Sequence, residues 1–281
     1  MLGIIGGSGF YQIEGLEIVD TLDIETPFGK PSSKISVGLI NGQKIAFLAR
    51  HGLNHSITPS EINFRANIWG LKSAGVREIL SVSAVGSLQQ DIRPGDLALP
   101  DQYLDWTKGK RVGTFFGSGL VVHISTANPV CQNLSYRILT SAKNLNFELH
   151  KNKTYACVEG PRLGTRAESL FLKSNGADIV GMTNVPEAFL AREAQLCYAT
   201  VAVVTDYDCW LEDPTEHATA AKVMDLYRKN ITKVQSVVGH LTQLNQEPIP
   251  CECRSSLAFA VMTKVSELGP DQKHILDFLR E

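Results

Sequence analysis

Apolar residues in this chain come in short unbroken runs separated by glycine-rich or polar breaks, and longer amphipathic stretches lie between them. The runs at 2–5, 34–39, 44–49 and 78–85 read as strands, the last covered on both faces because it is almost continuously apolar. Further strands are expected at 154–158, 178–182 and 197–204. Residues 63–72 carry helical spacing and stop at Gly75, a residue suited to a helix end. Asn128-Pro129 opens a helix reaching about Leu145, since proline is tolerated in a first turn. Residues 165–174, closed by Gly176, and 186–194 are also expected to be helical. From 219 to 241 one face collects Val223, Leu226, Tyr227, Ile231, Val234 and Val238, the pattern of a long amphipathic helix. The stretch 245–250 reads as a linker, and two short helices are expected beyond it.

Strands alternate with helices throughout, so the class is α/β: a single domain with a central mixed β-sheet flanked by helices. Residues 1–244 form that domain and 245–281 a C-terminal extension. With 281 residues, 43% of them hydrophobic, the chain can bury a large core. A formal net charge of -2, with Lys and Arg scattered, gives no electrostatic case for nucleic acid or a membrane surface as partner. No apolar run reaches the roughly 18 residues of a membrane helix. The N-terminus lacks the pattern of a signal peptide, so the expected location is cytoplasmic. Cys131, Cys157 and Cys197 read as small buried hydrophobes, and Cys251-Glu252-Cys253 as a structural or incidental pair in a tail. A zinc site would need two more ligands at matching spacing, and the sequence after this pair supplies none; no metal is expected.

Four polar clusters follow expected strands, where ligands collect in open α/β sheets. Gly6-Gly7-Ser8-Gly9 lets backbone N–H groups turn toward an anion, with a hydroxyl as extra donor. A plain tight turn is the other reading, and the third glycine of a dinucleotide fingerprint is missing. Arg50-His51-Gly52 offers a planar fork of donors suited to phosphate, with a ring N–H beside it, or simply a surface charge at a turn. Ser83-Ala84-Val85-Gly86-Ser87 places a small hydroxyl residue where glycine permits close approach, or marks a strand-to-loop transition. Thr205-Asp206-Tyr207-Asp208 sets two carboxylates at a strand mouth. A half-buried Asp needs a partner, and its neutral form can donate to a leaving nitrogen; a capping pair is the alternative. Phosphate donors facing an acidic Asp suit displacement at an anomeric carbon by phosphate, although spacing alone does not establish it.

With these residues in view, the sequence resembles the 5'-methylthioadenosine phosphorylases of the trimeric purine nucleoside phosphorylase family. The likeness runs to about Leu244. It is carried by Gly6-Gly7-Ser8-Gly9, Thr26-Pro27-Phe28-Gly29-Lys30-Pro31-Ser32, Leu48-Ala49-Arg50-His51-Gly52 and Asn63-Phe64-Arg65-Ala66-Asn67-Ile68-Trp69. Glu159-Gly160-Pro161-Arg162, Gly181-Met182-Thr183 with Pro186-Glu187, and Thr205-Asp206-Tyr207-Asp208-Cys209-Trp210 continue it.

The resemblance implies a purine nucleoside phosphorylase-like fold and phosphorolysis of S-methyl-5'-thioadenosine, with inorganic phosphate as co-substrate and no cofactor. It implies phosphate binding by Ser8, Arg50, His51, Ser83, the Ala84 N–H and Thr183. Met182 would lie under the ribose, and Asp206, with Asp208 beside it, would act at the purine N7 and 6-amino group. Val223 matches part of a methylthio pocket, to which His123 would be lent by a neighbouring subunit of a homotrimer. Leu163 replaces a stacking Phe and Gly164 a Ser that touches the base, which keeps S-methyl-5'-thioinosine or other 6-oxopurine nucleosides as the alternative substrates. A nucleotide-binding module without phosphorylase activity is the more distant alternative. The C-x-C tail resembles that of some microbial members.

Overall fold

The computed structural model describes residues 1–7, 15–213, 218–244 and 251–281. Nine strands are present among them: β1 (Leu2–Gly6), β2 (Glu17–Leu22), β3 (Ile35–Ile40), β4 (Gln43–Ala49), β5 (Glu78–Ser87), β6 (Leu97–Trp106), β7 (Leu149–Val158), β8 (Ile179–Gly181) and β9 (Cys197–Asp206). The α-helices are α1 (Phe64–Ser73), α2 (Gln132–Asn144), α3 (Arg166–Ser174), α4 (Asn184–Glu193), α5 (Ala220–Leu241) and α6 (Pro270–Arg280). Ser8 and the expected linker at 245–250 lie outside the described residues.

The strands join in one mixed sheet in the order β2-β3-β4-β1-β5-β8-β7-β6-β9. A further parallel pairing of β5 with β9 closes the last five strands into a ring. Strands β4, β1, β5 and β9 run parallel to one another, so their C-terminal ends share one edge of the sheet.

The unbroken apolar runs are explained by helices on both faces. Successive residues of a strand point to opposite sides. Ile4, Phe47 and Leu80 pack in one cluster with α2 and α5, while Ile5, Leu48 and Ile79 pack in another with α1, α4 and α6. Inside this second cluster Trp69 of α1 stacks on Phe278 of α6, ring centres 4.0 Å apart, so the C-terminal helix is part of a shared core.

Local signals set the helix ends. Asn63 caps α1 by accepting from the Ala66 N–H at 3.2 Å. Thr165 and Glu168 form a reciprocal capping box at α3. Helix α2 begins at Gln132, later than Asn128-Pro129 suggests, with Cys131 as its N-cap.

Two strands go beyond the sequence pattern. β2 is an exposed edge strand, without an apolar face to give it away. β6 contains Pro100, where its register against β7 shifts, and proline in a strand argues locally against one.

Candidate active site at the C-terminal edge of the sheet

Arg50, the residue after β4, is the centre of the arrangement. Its backbone N–H donates to the Gly6 carbonyl at 3.0 Å, which ties the β4 exit to the end of β1. Its guanidinium donates to the Glu187 carboxylate from Nε at 2.7 Å and from Nη2 at 2.9 Å. Nη2 also donates to Ser81 Oγ at 2.6 Å, and Nη1 to the Val82 carbonyl at 2.9 Å. These four bonds leave one Nη1 hydrogen of the five guanidinium donors without a partner among the described residues. Burial opposes the Arg50 charge, but Glu187 more than restores it and its pKa is raised.

The neighbouring His51 is half-buried, and its Nδ1 lies 2.9 Å from the Ile57 carbonyl. A carbonyl only accepts, so Nδ1 carries the hydrogen and Nε2 presents a lone pair. Burial, and then the adjacent Arg50, bring its pKa down to about 4. The sequence reading had His51 offering a ring N–H; the fold spends that hydrogen on Ile57 and leaves an acceptor instead.

Strand β5 supplies the floor. On one side it pairs with β1 as far as Ser81 and with β8 from Gly86 onward. Residues 82–85 between them have no ladder partner on that side among the described residues. Ser83 lies in this gap, its Oγ 3.4 Å from Thr183 Oγ1 and 3.2 Å from the Tyr155 hydroxyl. Tyr155 reaches this point only because Gly181 has no side chain: a Cβ there would stand 2.0 Å from the Tyr155 hydroxyl oxygen. Arg111 fixes the next segment by donating to the carbonyls of Met182 at 2.7 Å and Val185 at 2.6 Å, while pairing with Glu159 at 3.0 Å.

Asp206 ends β9 beside Gly86 of β5. Its Oδ2 accepts from the Thr205 hydroxyl at 2.6 Å and its Oδ1 from the Asp208 N–H at 2.8 Å. Gly86 makes room for it, since a Cβ at this position would lie 2.9 Å from Asp206 Oδ1. Burial raises the Asp206 pKa, the two hydrogen bonds oppose that, and Asp208 adds to it. Asp208 is itself buried and raised by burial, and it holds a left-handed φ of 54°. Cys209 Sγ contacts the Gly164 carbonyl at 3.4 Å, which brings the Leu163-Gly164 segment beside the acidic pair.

The sheet edge therefore gathers Arg50, His51, Ser83, Ala84, Met182, Thr183, Asp206 and Asp208. Ser83 and Gly86, the residue beside Asp206, are three residues apart on β5, about 10 Å along a strand. Val223 lies in the first turns of α5, partly buried. His123 is exposed on a loop, and its backbone N–H donates to the Ala260 carbonyl at 2.8 Å. Glu187, Ser81 and Tyr155 were not singled out by sequence for the roles they take. Glu187 is one of three charged residues in the expected helix 186–194, with Arg192 and Glu193, so the sequence alone does not separate it from them.

The model of the phosphorylase superfamily matches residues 1–241. The S-methyl-5'-thioadenosine phosphorylase of Geobacter sulfurreducens is 42% identical over 279 residues, covering 99% of this chain and 97% of the relative. That of Hyperthermus butylicus is 48% identical over 265 residues, 93% of this chain and 95% of its own. The chain belongs to the S-methyl-5'-thioadenosine phosphorylase family of the phosphorylase superfamily. Among solved structures, a methylthioadenosine phosphorylase from an antarctic soil metagenomic library superposes with a TM-score of 0.93 at 44% identity, covering 99% of this chain and 98% of that one. The methylthioadenosine phosphorylase of Schistosoma mansoni in complex with adenine does so with a TM-score of 0.86 at 34% identity, covering 93% and 98%.

Proposed function

We propose that the chain phosphorolyses S-methyl-5'-thioadenosine to adenine and 5-methylthioribose 1-phosphate. The observation that carries this reading is the shared sheet edge: an arginine, two hydroxyls and an imidazole lone pair on one side of a gap, and a buried acidic carboxyl on the other.

The substrate's C1'–N9 bond breaks, its electron pair passes to the purine, and a phosphate oxygen bonds to C1' from the opposite face. Arg50 offers its remaining Nη1 hydrogen to phosphate, Ser83 and Thr183 offer hydroxyls, and the Ala84 N–H and Ser8 complete the set. His51 Nε2 accepts a hydrogen from a P–OH group, because at neutral pH it has none to give. Holding the nucleophile in place supplies a proximity term that reaches about 7–11 kcal/mol in favourable cases. Its negative charge also offsets the cation growing on the ribosyl ring. Asp206, whose pKa burial raises, delivers a proton to N7, so that adenine departs neutral. Its other oxygen accepts from the 6-amino group.

Met182 lies beneath the ribose, and Leu163 and Gly164 border the base. Val223 and a partner's His123 close an apolar pocket around the methylthio group. A homotrimer provides that partner. Around His123, exposed Val121, Phe259 and Met262 make an apolar patch suited to burial against a second copy. No helix among the described residues is long and apolar enough to cross a membrane, and we read the enzyme as cytoplasmic.

Product analysis with S-methyl-5'-thioadenosine, S-methyl-5'-thioinosine and adenosine, each with and without phosphate, tests the reading. Adenine release from the first, dependent on phosphate and faster than from adenosine, is the expected result. Preferential release of hypoxanthine would assign the 6-oxopurine substrate instead.

A further inference from the structure

Cys251-Glu252-Cys253 has no ligand partners nearby in sequence, but the fold brings two to it. Cys131, the N-cap of α2, and Cys197, the first residue of β9, meet the pair at the end of the sheet opposite Asp206. The four sulfurs lie within 4.8 Å of one another. Cys251 Sγ is 3.5 Å from Cys131 Sγ and 3.6 Å from Cys197 Sγ. The reading of Cys131 and Cys197 as isolated small hydrophobes, and of the pair as incidental, is corrected by this gathering.

We propose that Cys131, Cys197, Cys251 and Cys253 form a tetrathiolate site for a zinc-class divalent cation, which pins the C-terminal segment to the base of the sheet. Tetrahedral zinc–thiolate bonds of about 2.3 Å place the sulfurs about 3.8 Å apart. The 3.5 and 3.6 Å separations of Cys251 from Cys131 and Cys197 sit close to that edge length and well above the roughly 2.05 Å of a disulfide. Four soft sulfur ligands in a tetrahedral group select zinc among the common divalent ions.

The surroundings also suit a thiolate centre. Arg192, buried, donates from Nη1 to Cys253 Sγ at 3.1 Å, and its Nε has no partner among the described residues. The Cys253 N–H points to Cys251 Sγ at 3.4 Å. Four thiolates around a dication leave a net negative charge, which a buried guanidinium and backbone N–H groups offset. Cys131 occupies the N-cap of α2, where the positive end of the helix dipole favours a thiolate. Binding forms four metal–sulfur bonds and releases four thiol protons to solvent.

The role is structural. Nine residue steps of β9 separate Cys197 from Asp206, about 30 Å, so the ion touches no reacting atom. The chain just beyond Cys253 holds the His123 loop: Ala260 accepts from the His123 N–H, and Met262 donates to the Val121 carbonyl.

The test is elemental analysis of the full-length protein purified under reducing conditions, followed by cobalt exchange. About one zinc per chain is expected, released stoichiometrically when the thiols are titrated with a mercurial. Cobalt in its place should show the intense sulfur-to-metal charge-transfer and visible bands of a tetrahedral thiolate site. Cys251→Ser and Cys253→Ser each cut retained zinc at least tenfold and lower the melting temperature, with phosphorolysis retained in folded protein. These variants lie in the tail; if one fails to fold, the metal content and cobalt spectrum of the unaltered protein still decide. Four free thiols that take up neither added zinc nor cobalt, or disulfides found by mass spectrometry in protein isolated without oxidants, would overturn the proposal. Loss of activity toward every nucleoside with zinc retained would bear on the proposed reaction and leave this site standing.

Discussion

Glu187 grips Arg50 through two contacts, 2.7 Å to Nε and 2.9 Å to Nη2, with both side chains out of water. The pair is aimed as well as neutralised: Ser81 and Val82 take further donors, so the guanidinium plane is fixed and one Nη1 hydrogen is left over. Glu187→Gln keeps the shape and removes the charge. The expected result is a rise of tenfold or more in KM for phosphate with a smaller change in kcat, measured by steady-state phosphorolysis. Removing one member of a buried pair costs about 3–5 kcal/mol, so Glu187→Ala should also unfold at markedly lower denaturant.

His51 gives a pH prediction. With its pKa near 4 rather than 6.5, the ring stays neutral throughout the ordinary assay range. The kcat profile at saturating phosphate should show no limb at 6.5 from this residue. His51→Asn keeps a donor for the Ile57 carbonyl and deletes the Nε2 acceptor. Losing one hydrogen bond to a charged ligand corresponds to about a ten- to hundredfold fall in kcat/KM for phosphate. An unchanged value would remove His51 from the site.

Gly86 is where β5 lets Asp206 approach. Gly86→Ala puts a Cβ against Asp206 Oδ1 and the Asp208 backbone. A displacement of about 1 Å at a reacting group can cost a hundredfold in rate, and that loss is expected in kcat, with circular dichroism unchanged.

Glu193 supplies a stability prediction. Burial raises its pKa from 4.5 to about 7, against hydrogen bonds from the Phe115 N–H and the Thr114 hydroxyl. A carboxyl raised on folding stabilises fully below its unfolded pKa, and that contribution is lost as pH rises through the folded value. Between pH 4.5 and 7 the wild type should lose of the order of 3 kcal/mol relative to Glu193→Gln, whose side chain does not titrate. Parallel melting curves of the two proteins across this range would contradict the assignment.

The sequence carried much of this architecture, for identifiable reasons. Runs such as 78–85 and 197–204 are apolar on both faces because helices cover both, and β5 and β9 appear there with little change in extent. The positions after β1, β4, β5 and β9 were legible as site candidates because parallel strands deliver their exits to one edge. The closure of β5 through β9 into a ring was not legible, since it depends on antiparallel contacts of β6 and β8 that leave no local pattern. Nor was the thiol cluster, whose members come from three separate stretches of chain. His51 shows the limit for chemistry: its residue type was evident, but which nitrogen faces the site depends on the Ile57 carbonyl.

The account rests on an acidic Asp206 serving a departing adenine. Its direct test is Asp206→Asn, assayed for kcat/KM with S-methyl-5'-thioadenosine and with S-methyl-5'-thioinosine at saturating phosphate. Loss of the acid should lower the adenine nucleoside about a hundredfold or more. The 6-oxo nucleoside, whose base an amide can still pair with, should fall much less. Equal losses for the two would contradict the account.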